Sequence, residues 1–295
     1  MELRAEARRL LKLAAANGDA GAQFSLGTAH YGLGELQDFA EARRLYGLAA
    51  AQGLAEGQYR LGAMHFDGDG GPEDFAEARR LYGLAAAQGH ANAQLSLGTM
   101  HFRGKGGPQD FTEARRLLGL AAAQGHAKGQ LHLGGMHHHG DGGPQDFAEA
   151  RRLYGLAAAQ GHTEAQAALG VMHFRGQGGP EDFAEARRLY GLAAAQGHAE
   201  AQAALGTMHF DGDGGPQDFA EARRLFGLAA AQGHAKGQYQ LGGMHFSGKG
   251  GPPDLAEARR LYGLAAAQGQ VDAQQMLGGM HFSGKGGPPD LAEAR

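Results

Sequence analysis

AEGQYRLGAMHFDGDGGPEDFAEARRLYGLAAAQG, residues 55–89, decides the fold of this chain. Its opening segment sets Gly57, Leu61 and Met64 four and three residues apart, the spacing of one helical face. Gly68 and the Asp-Gly-Gly-Pro that follows end that helix, because glycine accepts a left-handed cap and Pro72 cannot continue a helix. Asp74-Phe75-Ala76-Glu77 then reads as a capping box with Asp74 as N-cap. A second helix follows through Ala78, Leu81, Tyr82, Ala85 and Ala86, with Gln88-Gly89 as its stop. The unit is therefore helix A, a Gly-Pro loop, helix B and a short turn.

The unit recurs. The Glu of the word AEARRL or its near copies falls at 6, 41, 77, 113, 149, 185, 221, 257 and 293, a step of 35 once and 36 thereafter. The short step reads as a one-residue deletion in the first loop, at Gly34–Asp38. No segment alternates as a strand does, so the expected class is all-α: a right-handed α-solenoid superhelix of about eight helix-turn-helix repeats. Residues 1–295 form one such solenoid on this reading, with repeats beginning near 19, 55, 91, 127, 163, 199, 235 and 271. A lone helix B over 2–16 acts as an N-terminal cap, and the last repeat reads as truncated at Arg295. Glycines stand inside both helices, at Gly62 and Gly83 in this unit. Each costs ~1 kcal/mol against alanine, and their recurrence implies close helix–helix approach.

Helix A reads AxAQxxLGxMHF and helix B reads AEARRLYGLAAAQGHA. Together they resemble the Sel1-like repeat, a relative of the tetratricopeptide repeat, over nearly all of the chain. His65 and His101 depart from the family's usual Tyr, and Leu81 and Leu117 from its common Trp. The resemblance implies an adaptor that assembles protein complexes. Some relatives carry a β-lactamase label, usually cysteine-rich ones, and this chain has no cysteine.

Composition narrows the chemistry. The formal net charge is −4, so no global basic field argues for nucleic acid. The missing cysteines remove disulfides, thiolate metal sites and a cysteine nucleophile. No apolar run approaches the ~20 residues of a membrane helix, and the N-terminus lacks a signal-peptide core, which favours a cytoplasmic protein. SxxK, GxSxG and HExxH do not occur, so no enzyme is expected and no cofactor.

Several motifs have sharper readings that their context weakens. Gly243–Lys249 and Gly279–Lys285 spell GxxxxGK, yet Gly rather than Ser or Thr follows, and a helix precedes. Asp67-Gly-Asp69-Gly and Asp211-Gly-Asp213-Gly resemble fragments of calcium loops but lack the distant Glu, and other copies put Arg or Lys there. Eight of the 16 histidines form an MH series (His30, His65, His101, His137, His173, His209, His245, His281). Five more follow the Gly turn (His90, His126, His162, His198, His234). They read as repeat-duplicated packing residues; charging all 16 would move the net charge from −4 to +12 and loosen the fold in mild acid. His132 and His137–His139 cluster, but consecutive residues point to different helix faces, so no metal site is expected. The arginine pairs, from Arg43-Arg44 to Arg259-Arg260, follow a Glu two and three residues earlier, and (i, i+3) ion pairs are expected to offset them.

Specificity is expected where the copies differ. The two residues after the helix A glutamine vary freely, and relatives line their concave surface with helix A. The expected partner-binding residues are Tyr59, Arg60, Leu95, Leu131, His132, Tyr239 and Gln240, with Ala167 to Ala204 a featureless middle. The partner is expected to be a protein or peptide, bound by a monomer. An RNA-binding array using the arginine ladder is the alternative, and the drift at these positions does not supply its base-reading residues.

Overall fold

The computed structural model describes residues 2–32 and 37–288, with side chains described from residue 9. The loop at 33–36, the side chain of Glu6 and the segment holding Glu293 and Arg295 lie outside the described residues. Among those described there are sixteen helices and no strand.

Contacts divide the chain into two compact units, Met1–Asp146 and Phe147–Arg295. The division falls between the loop and helix B of the repeat that begins at Ala127, so it follows the middle of a repeat and not its edge. The first unit holds α1 (Glu2–Ala16), α2 (Ala20–Tyr31), α3 (Phe39–Ala51), α4 (Ala55–Asp67), α5 (Phe75–Ala87), α6 (Ala91–Arg103), α7 (Phe111–Ala123) and α8 (Ala127–His139). The second holds α9 (Phe147–Ala159), α10 (Thr163–Phe174), α11 (Phe183–Ala195), α12 (Ala199–Asp211), α13 (Phe219–Ala231), α14 (Ala235–Ser247), α15 (Leu255–Ala267) and α16 (Val271–Ser283).

Within each unit the even helices pack on the odd ones that follow, and each pair stacks on the next. The face predicted for helix A is the buried one: Gly57, Gln58, Leu61, Gly62 and Met64 in α4. Its glycine is needed. A Cβ on Gly62 would stand 2.9 Å from the Tyr82 ring, and one on Gly98 2.9 Å from Leu118. The helix B glycine has a different environment, for a Cβ on Gly83 would meet nothing within 4 Å. The expectation of close approach therefore holds for helix A and fails for helix B, whose glycine faces open space.

The buried glutamines are fully used. Gln58 donates to the Ala50 carbonyl (3.3 Å) and accepts from Gln88 (2.8 Å), so a polar chain links successive repeats. In the second unit Gln202 and Gln232 repeat the pairing at 2.8 Å. Burying the amide without partners would cost a few kcal/mol, roughly 1–3 in proteins. That explains a glutamine in a core otherwise built of Ala, Leu and Met.

Half of the capping box forms. Asp74 accepts from the Glu77 amide at 2.9 Å. Glu77 does not reach back: its carboxylate takes both Arg80 hydrogen bonds, at 2.7 and 2.6 Å, while the Asp74 amide donates to the His65 carbonyl at 2.7 Å. The reciprocal bond fails because each end already has a better partner, a guanidinium for the carboxylate and a helix A carbonyl for the amide.

Candidate functional site

The loop between the two helices is fastened by the preceding repeat. Gly70 has φ +68°, and a Cβ there would run into the Phe39 carbonyl; at Gly71 it would run into the Arg43 guanidinium. Arg43 donates to His65 Nδ1 at 2.7 Å and to the Pro72 carbonyl at 3.3 Å. The same clamp joins Arg79 to His101 at 2.8 Å and Arg115 to His137 at 2.7 Å. In the second unit it joins Arg187 to His209 at 2.7 Å and Arg223 to His245 at 2.9 Å. The arginine ladder thus splits. The second member of each pair makes the expected (i, i+3) bridge, as Arg80 does with Glu77 at 2.6 Å. Among the described residues the first member makes none to that Glu and is spent on the next repeat's loop and histidine.

Members of both histidine series accept an N–H at Nδ1, with His30 and His162 as exceptions whose Nδ1 takes no hydrogen bond. Burial first, and then the adjacent Arg43, push the His65 imidazole below its ordinary pKa; Glu77 and Asp74 oppose the shift. His101, His173, His209 and His245 are lowered for the same reasons. His90, His126, His198 and His234 act as side-chain N-caps, whereas His162 makes no capping bond: His90 Nδ1 accepts from Ala93 N at 3.2 Å, and His234 Nδ1 from Gly237 N at 3.1 Å. His90 Nε2 then points at Glu56, 2.6 Å away. Burial lowers the pKa of His126 and His234. These histidines are fastenings, a role with no sequence signal beyond their position at N-cap.

The sequence-predicted residues occupy one face of helix A. Tyr59 is half-buried, its ring 5.7 Å from Tyr82 and stacked on His90 at 4.8 Å. The Arg60 guanidinium lies 5.7 Å from the Tyr59 ring centre and 3.4 Å from Glu56. Tyr59, Leu95 and His132, from three successive helices A, line one cavity of about 350 Å³ in the first unit. Arg60 and Leu131 do not line it. In the second unit Tyr239 packs on Tyr262 at 5.8 Å, with Gln240 half-buried beside it.

Two contributions escape a comparison of copies. The cavity's floor and rim include Phe66, Tyr82 and Lys105. Phe66 and Tyr82 recur in most copies and so carry no variation to notice. Lys105 lies over both Phe66 and Phe75, 4.7 and 4.6 Å from the ring centres, which fixes its ammonium at the rim. Nor is the middle of the chain featureless. Ala203 and Ala204 leave space for a second cavity of about 310 Å³ in the second unit, which Tyr190, Arg175 and Lys236 also line. Small side chains read as blank in sequence; in the packed helix they are the opening.

The motifs weighed above are accounted for by packing. Lys249 of the first GxxxxGK lies 4.3 Å from the Phe210 ring centre, and Gly248 is the left-handed C-cap of α14. Asp69 accepts from the Tyr31 hydroxyl at 2.9 Å. His138 and His139 meet edge to face at 4.7 Å. Among the described residues no three His, Cys, Asp or Glu side chains gather as a metal site, and no helix is long and apolar enough to cross a membrane.

Comparison with known proteins agrees with this geometry. The structure of c5321, a protective antigen of uropathogenic Escherichia coli strains with an SLR fold, is similar at TM-score 0.91 and 33% identity. The match covers 97% of this chain and 62% of that one, so the chain spans less than two thirds of that relative. A Sel1 repeat protein of Oxalobacter formigenes is similar at TM-score 0.74 and 32% identity, covering 97% of this chain and 83% of the other. No curated protein sequence matches. The Sel1 repeat model matches residues 4–19, 20–54, 55–90, 91–126, 127–162, 163–198, 199–234, 235–270 and 271–295. With its repeats matched end to end, the chain belongs to the Sel1 repeat family.

Proposed function

We propose that the protein is a non-catalytic interaction scaffold that holds a peptide or a partner domain against the helix A face. Sel1 repeat proteins generally serve as protein–protein interaction scaffolds. The observation that carries the reading is the convergence of Tyr59, Leu95 and His132, drawn from three repeats, on one aromatic-floored cavity of about 350 Å³. Tyr, with Arg60 beside it, supplies the large amphipathic contact area from which hot spots are built. The arginine ladder does not favour RNA: one member of each pair is tied to the next repeat, and the other to a glutamate.

The test places a photo-crosslinking phenylalanine analogue at position 95 and captures partners from source lysate. A protein joined at position 95, insensitive to nuclease and lost on Tyr59→Ala/His132→Ala, supports the scaffold reading. Nuclease-sensitive capture, or crosslinking untouched by the double substitution, overturns it.

A further inference from the structure

Tyr190 is 6% exposed, and it lines the second cavity. In the first unit the matching tyrosine, Tyr82, shares its cavity with the Ser96 side chain. Tyr46 bonds the Thr28 hydroxyl at 3.2 Å. The counterpart of Ser96 across three repeats is Ala204. The Tyr190 hydroxyl is therefore left with no hydrogen-bond partner among the described residues, at the wall of a cavity that Ala204 also lines. Burial pushes its pKa up to about 12, so it stands as a proton-bearing donor across the physiological range.

Two cations share that rim. Arg175 and Lys236 line the cavity, and neither has an ion pair within 4 Å among the described residues. Glu200 is the one carboxylate lining it, with His234 close enough to feel its charge. His234 Nδ1 is committed to the Gly237 amide, so only Nε2 can carry its proton in the neutral ring. A phenol, a guanidinium and an ammonium thus surround about 310 Å³ of space floored by apolar side chains. Among the described residues the side-chain atoms both sealed from solvent and unpartnered are His30 Nδ1 and His162 Nδ1, so the Tyr190 hydroxyl is not sealed in the core and opens to the cavity.

We infer that this cavity is a seat for a carboxylate side chain, an aspartate or glutamate of a partner peptide, with Tyr190 donating to the carboxylate and Arg175 and Lys236 balancing its charge. The inference rests on the scaffold reading but concerns a different cavity, formed wholly within the second unit. The methylenes of the same side chain pack against Ala203 and Ala204.

The sequence supplies the reporter. It has two valines, Val171 and Val271. Val171 lines the cavity, whereas Val271 opens α16 and is 61% exposed. With valine methyls isotope-labelled in the full chain, N-acetylglutamate α-methylamide is titrated to about 50 mM, a range suited to a single side chain binding in millimolar. The Val171 signals are expected to shift saturably while Val271 stays still. The glutamine twin should bind at least about tenfold more weakly, since it lacks the charge-assisted bonds. Tyr190→Phe should weaken binding by a similar factor without unfolding the chain, because Phe226 already fills the equivalent place at 1% exposure.

Equal response to the two probes, Val271 moving with Val171, no shift at all, or full binding by Tyr190→Phe each overturn the inference. Its failure leaves crosslinking at position 95 intact, whereas failure of the scaffold reading removes partner capture through the first cavity, so the two are told apart.

Discussion

At the scale of residues, two arginines adjacent in sequence have unequal weight. Arg80 bridges Glu77 with its side chain 57% exposed, the setting in which ion pairs contribute about 0–1 kcal/mol. Arg79 donates to His101 and to the Pro108 carbonyl, spanning 22 and 29 residues and fastening one repeat's loop to another's helix. Its removal leaves acceptors behind, a loss of roughly 1–3 kcal/mol for bonds to a charged group. Arg79→Ala is therefore expected to lower the urea midpoint clearly, and Arg80→Ala hardly at all. Equal effects of the two substitutions would refute the division of labour. The sequence could not give this division, because both arginines follow the same Glu. Only the position of the next repeat's loop, 29 residues away, separates them.

At the scale of helices, the two internal glycines make opposite predictions. Gly83→Ala adds a methyl to open space in a helix and removes glycine's extra backbone freedom, so it is expected to stabilise by about 0.5–1 kcal/mol. Gly62→Ala drives a methyl to 2.9 Å from the Tyr82 ring, which must give way, and overpacking of this kind costs about 1–3 kcal/mol. Chemical denaturation of the two variants gives the signs directly, and a shared sign would mean the packing is misread. Periodicity showed where the helices begin, as at Ala55, and which face of α4 is buried. It could not show which glycines are touched, since both recur with the same 36-residue step. The cavities were half legible. Variation pointed to Tyr59, Leu95 and His132, but it passed over Phe66 and Tyr82, which hardly vary, and over Ala203 and Ala204, whose smallness makes the space.

At the scale of the whole molecule, the shifted groups fix how stability depends on pH. His65, His101, His173, His209, His245, His126 and His234 have folded-state pKa values below 6.5, so the unfolded chain takes up protons first as pH falls. Their contribution is complete above 6.5 and drains away as pH drops through the lowered values. The chemistry is direct, for a protonated Nδ1 can no longer accept from Arg79, as in His101, or from the Gly237 amide, as in His234. Glu77, Glu113, Glu185, Glu221 and Glu257 lie below 4.5 through their arginine partners, which adds a second loss at lower pH. Tyr154, Tyr190 and Tyr262, raised to about 12 by burial, set the opposite limit, with stability declining once pH passes the ordinary phenol value of 10. The melting temperature is therefore expected to be highest between about 6.5 and 10 and to fall on going from pH 7.5 to 5.5, well before the carboxylates titrate. A melting temperature that is flat between those two values, with the acid fall beginning only near 4.5, would assign the acid response to the glutamate bridges and remove the histidines from it.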